Sequence, residues 1–405
     1  MDLSRQISSE KITPPPPPHY SLPEDVVFTQ ILSRLPVKSL MRFKCVSKTW
    51  FAYISSDPDL VATHLDRQHS KSSLILAKSY LNRAKSRVFL LLNESKTLEL
   101  DVSYISRSVE TAPSVEIYNI VGSFNGLLCL EIGEPDLNSV MLCNPATREF
   151  RYLPRPDFES VGRRACFGFG FDGDANDYKV VRIFSGDRGP LHVHVYTKSS
   201  NSWRRLIVGG GGGKSGLVLS QDQSAVAANG ALYWSAIGAA TLRHCVLSFS
   251  IRDEVLQVTE VPVMRESDKF YEYDIKLVKW MESLVALIRY DGFTSHDCYF
   301  RSLIVNGVGI NIDMMNISWS KMFVLEVGIP RGNFWTCFRG VWGESFLLNK
   351  DSELLLYEHP IIGYGSDNRK ESTYWSSKIL IERLPGPDWN FHEAHDYVES
   401  LVSVF

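Results

Sequence analysis

The sequence predicts an α+β chain in which a small helical unit precedes an all-β body, a β-propeller of about six blades. Three observations lead there. Apolar residues recur at helical spacing between Ser21 and Arg67. From about Leu74 the pattern changes to short runs of Val, Ile, Leu, Phe and Tyr, separated by Gly, Asn, Asp and Ser. A weak internal repeat also runs through those strands, closing on Leu153, Leu206, Val261, Phe323 and Leu384 at intervals of about 55–60 residues. Dividing residues 70–405 by that period gives about six units. A pair of β-sandwiches is the alternative, and repeats of this length fit it less well.

Residues 1–20 are expected to be disordered, with Pro14 to Pro18 an extended polyproline spacer. The helical unit then covers 21–67. Ser21 and Glu24 form a capping box, and Pro23 sits in the first turn, where its missing N–H costs little. Val27, Phe28, Ile31, Leu32 and Leu35 make one apolar stripe. Pro36 ends that helix and opens a second, Val37 to Phe43. A third is expected from Lys44 to Ser55, with Val46, Trp50 and Ile54 on one face. Asp57-Pro58 is a cap followed by proline and starts a fourth, ending near Arg67. So small a unit cannot bury all of its apolar residues alone. The surplus faces either the β-body, as a helical cap, or a partner.

The β-body covers 70–405. Strands are expected at 74–77, 88–92, 127–131, 140–143, 179–184, 192–196, 231–235, 246–250, 284–289, 346–348 and 354–357. Turn signals such as Asn125-Gly126, Asn144-Pro145 and Asn229-Gly230 separate them.

The chain has 405 residues, 44% hydrophobic and 22% charged, with a formal charge of −3. That balance argues against a general attraction to nucleic acid or an anionic membrane. No apolar run reaches the length of a bilayer span, and the opening residues lack the apolar core of a signal peptide. The seven cysteines are scattered, mostly among apolar neighbours, which predicts reduced, buried thiols and residence in the cytoplasm or nucleus.

Little in the sequence suggests chemistry. Gly209 to Gly213 before Lys214-Ser215 resembles a phosphate loop, but Val208 stands where that loop needs glycine and no helix follows. His192 and His194 share one face of a strand, yet no third ligand accompanies them, so they read as structural. His392, Glu393, His395 and Asp396 read as a solvated terminal loop or short helix. No catalytic residue, metal or cofactor is therefore assigned. Trp335 and Trp389 lie in turn-rich sequence and are the candidate anchors for a bound protein. Trp203 and Trp319 read as packing between blades.

Leu22-Pro23-Glu24-Asp25, Ile31-Leu32, Leu35 to Leu40, Arg42 to Lys48 and Trp50 together resemble an F-box, spanning the motif without a gap. The resemblance implies docking to a Skp-family adaptor and, through it, to the cullin and RING subunits of a ubiquitin ligase. Carried over, Leu22, Pro23, Ile31, Leu32, Leu35, Pro36, Leu40, Val46 and Trp50 make the adaptor contact or the small core behind it. The body resembles the plant F-box-associated domain in Gly122 to Cys129, Asn144 to Glu149, Gly168 to Asp172 and Asn176 to Val181. Asp101-Val102-Ser103-Tyr104 is similar to the S-locus F-box group, whose members recognise stylar ribonucleases in pollen. The implied function is a non-catalytic substrate receptor that recruits a target for ubiquitination. A propeller hydrolase or oxidase with a helical extension, and an F-box scaffold without a degraded client, are the alternatives.

Overall fold

The computed structural model describes residue 23 and residues 26–68, 73–80, 87–92, 96–100, 117–132, 139–156, 165–184, 191–207, 216–220, 224–262, 273–280, 283–291, 298–306, 318–327, 338–342, 345–350, 353–358, 376–381 and 389–405. The capping residues Ser21 and Glu24, the polyproline run and the glycine run at 209–213 lie outside them.

The helical unit begins with a π-helical turn, Val27–Ile31, that tightens into a 3-10 turn, Leu32–Arg34. Pro36 then opens the Val37–Phe43 helix, as its fixed φ favours. The third helix does not start at Lys44. Lys44 to Val46 form a turn, and Ser47 caps the Lys48–Ser56 helix by accepting a hydrogen bond from the Trp50 amide at 3.1 Å. Asp57 accepts from the Leu60 amide at 2.7 Å and opens the Pro58–Gln68 helix. No helix among the described residues is long and apolar enough to cross a membrane.

The β-body is six antiparallel sheets in chain order, the blades of a propeller. The first blade holds β1 (Ser73–Tyr80), β2 (Arg87–Leu92) and β3 (Lys96–Leu100). The second holds β4 (Ile117–Phe124), β5 (Leu127–Ile132), β6 (Ser139–Asn144) and β7 (Glu149–Tyr152). The third holds β8 (Cys166–Asp172), β9 (Asp177–Phe184), β10 (His192–Thr197) and β11 (Ser202–Leu206). In the fourth, β12 (Leu217–Leu219) and β13 (Val226–Ala228) both pair with β14 (Ala231–Gly238), followed by β15 (His244–Ser250) and β16 (Leu256–Glu260). The fifth holds β17 (Tyr273–Trp280), β18 (Ser283–Asp291), β19 (Cys298–Asn306) and β20 (Ser318–Val327). The sixth holds β21 (Phe338–Trp342), β22 (Ser345–Lys350), β23 (Glu353–Glu358) and β24 (Ser376–Ile381). Then β25 (Trp389–Tyr397) returns to pair antiparallel with β1 and completes the first blade. Residues 392–396 are therefore in the closing strand, not a terminal loop. Closure of this kind leaves no open end to the ring of sheets.

Alternation lets one strand serve two interfaces. On β9, Tyr178, Val180 and Phe184 enter the core shared with the second blade, while Val181 and Ile183 enter the core shared with the fourth. On β8, Gly168 and Gly170 have no side chain because the fourth blade comes too close. A Cβ at Gly168 would lie 2.7 Å from Trp234, and one at Gly170 would lie 2.4 Å from Ile251. Of the cysteines, Cys129, Cys143, Cys166 and Cys245 are buried free thiols, but Cys45 is exposed in the turn before Ser47.

The two rims of the propeller differ. On one, the strands reverse through tight turns with left-handed residues, Asn125-Gly126, Arg148, Asn176, Asn201 and Asn229-Gly230. The same rim carries a buried ion cluster between the third and fourth blades. Lys179 Nζ donates to Asp172 Oδ2 and the Ile251 carbonyl, both at 2.8 Å, and pairs with Glu254 Oε1 at 2.9 Å. Arg204 pairs with the other Glu254 oxygen. Burial raises the Asp172 and Glu254 carboxyls, but the hydrogen bonds from Lys179 and Arg204 outweigh it and hold both below the usual range.

After β25 the chain runs across this rim as an ordered tail. The Asn144 amide donates to the Ser400 carbonyl at 3.0 Å and the Val402 carbonyl at 2.7 Å. Its oxygen accepts from the Ala146 amide at 2.9 Å and the Thr147 amide at 3.3 Å. Ser400 Oγ donates to the Asn125 carbonyl at 2.6 Å. Gly126, at φ +81°, is needed twice over, since a Cβ there would also lie 2.3 Å from Ser400 Oγ.

Two outcomes follow. Asn144→Asp exchanges two donors for a carboxylate facing two carbonyls and is expected to destabilise the propeller by about 3 kcal/mol in thermal unfolding. An unchanged melting temperature would show that the tail contributes nothing. The lowered Asp172 and Glu254 carboxyls contribute stability that is present above the ordinary carboxylate pKa and lost as pH falls through their folded values. The melting temperature should thus drop below about pH 4, and Glu254→Gln should shallow that slope.

Candidate functional site

The helical unit has a core of its own, and that core is completed by the propeller. Leu32, Val37, Leu40, Ile54 and Leu60 are fully buried. Phe28 packs on Tyr53 with ring centroids 4.3 Å apart, and Trp50 meets Phe28 and Phe43 edge-on at 6.2 and 5.7 Å. His64, also buried, bonds the Leu35 carbonyl at 2.9 Å, where the chain turns into Pro36. Ser33 Oγ donates to the Thr29 carbonyl at 2.6 Å and receives Arg67. Leu401 of the tail and Ala146 of the β6–β7 turn close this cluster from the propeller side.

That arrangement divides the sequence-predicted adaptor residues into two groups. Leu32 and Leu40 are core, and Leu35 and Trp50 are half-buried against it. Pro23, Ile31, Pro36 and Val46 are exposed. Ile31 is 39% exposed and Val46 60%, high values for branched aliphatic residues in a unit with an apolar core beside them. Leu22 lies outside the described residues. Two exposed residues of the same kind, Val26 and Phe51, belong to the apolar surplus read from the sequence but not to the adaptor set that the resemblance implies, and Phe51 is 56% exposed with Lys44 Nζ 6.0 Å from its ring. The signal for Phe51 was its place off the Val46–Trp50–Ile54 stripe.

The surplus apolar surface therefore has two destinations. One part receives Leu401 and Ala146. The other, carrying Ile31, Val46 and Phe51, is exposed to solvent.

The predicted anchors for a bound protein come out differently. Trp335 lies outside the described residues. Trp389 is not in a loop: its backbone opens β25 opposite Tyr80. Trp203 packs against the second blade and donates its indole N–H to the Pro154 carbonyl at 2.7 Å, so it holds two blades together. His192 is half-buried and His194 buried on β10, and no group of metal-ligating side chains occurs among the described residues. The F-box-side rim is occupied by the tail. On the other rim β9 leads to β10 and β11 leads to β12, through residues outside the described ones.

The family model for the F-box associated beta propeller domain matches residues 74–404, and that for the F-box domain matches residues 20–61. A putative F-box protein of Arabidopsis thaliana is 29% identical over 52% of this chain and 44% of its own. A second F-box protein from that plant is 27% identical over 62% of this chain and 60% of its own. The chain thus spans about half the length of these two relatives. F-box protein ETP2 of the same organism is 25% identical over 84% of each chain. Among solved structures, a post-proline cleaving enzyme from Rickettsia typhi is 11% identical, covers 87% of this chain and 56% of its own, and has a TM-score of 0.37. At that score the likeness carries no argument about activity.

The shared core makes a specific expectation. Leu401→Ala removes the propeller's side chain from the helical core and should cost about 2–3 kcal/mol. In limited proteolysis the helical unit of that variant should be cleaved from the propeller sooner than in the wild type. An unaltered digestion pattern would show that the two units are held together elsewhere.

Proposed function

The chain belongs to the F-box proteins that carry an F-box associated beta propeller domain, and from that premise we propose that it is a substrate-receptor subunit of a Skp–cullin–F-box ubiquitin ligase. The observation that carries the proposal is the exposed apolar set Pro23, Ile31, Pro36 and Val46 beside a finished core. A Skp-family adaptor covers that set, and the cullin and RING subunits follow through the adaptor. The protein makes and breaks no bond itself. It raises the effective concentration of a client's lysines near the charged conjugating enzyme. On this reading it works in the cytoplasm or nucleus, with neither cofactor nor metal.

Its aim matters as much as its grip. Leu401, Ala146 and the Asn144 hydrogen bonds fasten the helical unit to one rim of the propeller. A client on the opposite rim is then held in a set direction from the adaptor. The narrower reading, a pollen receptor for stylar ribonucleases, rests on the wording of the F-box and of Asp101 to Tyr104, the latter outside the described residues. Neither the propeller-enzyme reading nor the scaffold reading draws on an observation made here.

The test uses the full chain. Ile31→Asp with Val46→Asp places two charges where apolar surface should be buried and is expected to reduce adaptor capture by more than about tenfold. Both residues are exposed, so the melting temperature should not change. Replacing Leu22 and Pro23 with alanine should act in the same direction. Full adaptor capture by the charged double variant would refute the assignment.

A further inference from the structure

Strand β9 carries two buried cations that are treated in opposite ways. Lys179, on the face toward the fourth blade, has two carboxylates and a carbonyl around its ammonium group. Arg182, on the face toward the second blade, is 5% exposed and has neither a hydrogen bond nor an ion pair with any described residue. Its Nε is fully enclosed without an acceptor. Its guanidinium lies over an aromatic face, the Phe184 ring, 4.3 Å from the centroid.

Arg182 stands in a row with further nitrogen donors. Register places Phe167, Arg182, His194 and Arg205 in one cross-strand row over β8, β9, β10 and β11. His194 is 3% exposed. At the outer end the row reaches solvent, where the Arg205 guanidinium meets His192 Nδ1 at 3.2 Å. Burial lowers the Arg182 guanidinium to about 10. Burial, followed by the charges of Arg182, Arg205 and His192, lowers the His194 imidazole to about 4. The ion pairs among the described residues, which hold Lys179, Arg204, Arg243 and Arg252, do not include Arg182.

An enclosed guanidinium without an anion is a costly arrangement, and replacing such a charge with an apolar side chain often stabilises a protein. A planar fork stacked on a ring, with its donors unused, has the shape that receives a carboxylate or phosphate. The row sits near the β9 and β10 ends, Phe184 and His192, on the rim away from the helical unit.

We propose that the row Arg182, His194 and Arg205 on the third blade is an oxyanion-binding site, taking a carboxylate or phosphate group at the rim opposite the F-box. Two sources share this chemistry, an acidic or phosphorylated side chain of a recruited protein and a free anion. The first source rests on the receptor reading above; the site itself does not.

The experiment uses the purified full chain, with inorganic phosphate and, separately, acetate titrated against chloride at constant ionic strength. Phosphate or acetate should raise the melting temperature of the wild type beyond chloride. Arg182→Met should melt higher than the wild type without added anion and should lose the anion response. Arg205→Gln, at the exposed end, should weaken anion binding in calorimetry by about tenfold while leaving the melting temperature unchanged. A wild type that responds to neither anion beyond chloride overturns the proposal, as does an unaltered response in Arg182→Met. A phosphoserine peptide binding about tenfold or more tightly than phosphate assigns the site to a client side chain, and equal affinity assigns it to a free anion. Adaptor capture by Arg182→Met should match the wild type, so failure of the anion site leaves the receptor reading intact.

Discussion

The architecture depends on one buried amide. Asn144 uses both donors and its acceptor, holding two carbonyls of the C-terminal tail and two amides of its own turn. Asn144 and Ser400 are fully buried, so losing this amide would leave buried backbone groups without a partner. The consequences run in both directions along the chain. The ordered turn presents Ala146 to the helical unit, and the ordered tail presents Leu401 to it. The same tail inserts Val404 into the core between the second and third blades. A single side chain therefore links closure of the propeller to docking of the helices.

This linkage explains why so small a helical unit can be ordered while leaving Ile31 and Val46 uncovered. Its core residues Leu32, Val37, Leu40, Ile54 and Leu60 are too few to stabilise an independent domain comfortably. Leu401 and Ala146 extend that core from outside. Support from the propeller leaves the solvent-facing residues free for recognition, because stability does not require burying them within the chain. On the proposed reading, an adaptor covering them would add binding energy without having to fold its target first.

Much of this was legible in the sequence, and the gaps have physical reasons. The Val37–Phe43 helix, the hairpin at Asn125-Gly126 and the blade period are encoded by short-range patterns, and the structure follows them. The third helix starts later than its apolar stripe suggests because Ser47 is a better cap than Lys44, a signal present but outweighed by the periodicity. The closing strand was not readable. Its His392, Glu393, His395 and Asp396 look solvated, and only pairing with β1 at the far end of the chain makes them a strand. The division of the adaptor residues into buried Leu32 and Leu40 and exposed Ile31 and Val46 needs the packing of three helices and a distant tail, which no local window contains.

The contrast between Lys179 and Arg182 lies beyond any local pattern, since both read as polar positions in an alternating strand. In the fold the difference is large. Lys179 meets Asp172 of its own blade and Glu254 of the next, and a buried charge with that many acceptors is a structural element. Arg182 meets Phe184, the neutral His194 beside it and, beyond that, a second guanidinium, Arg205. If charge in the blade interior served stability alone, both cations would have drawn carboxylates from neighbouring blades, because the propeller supplies them readily at Lys179. The position without one gains nothing for folding. Its cost is accounted for when, as proposed, an anion arrives from outside the chain.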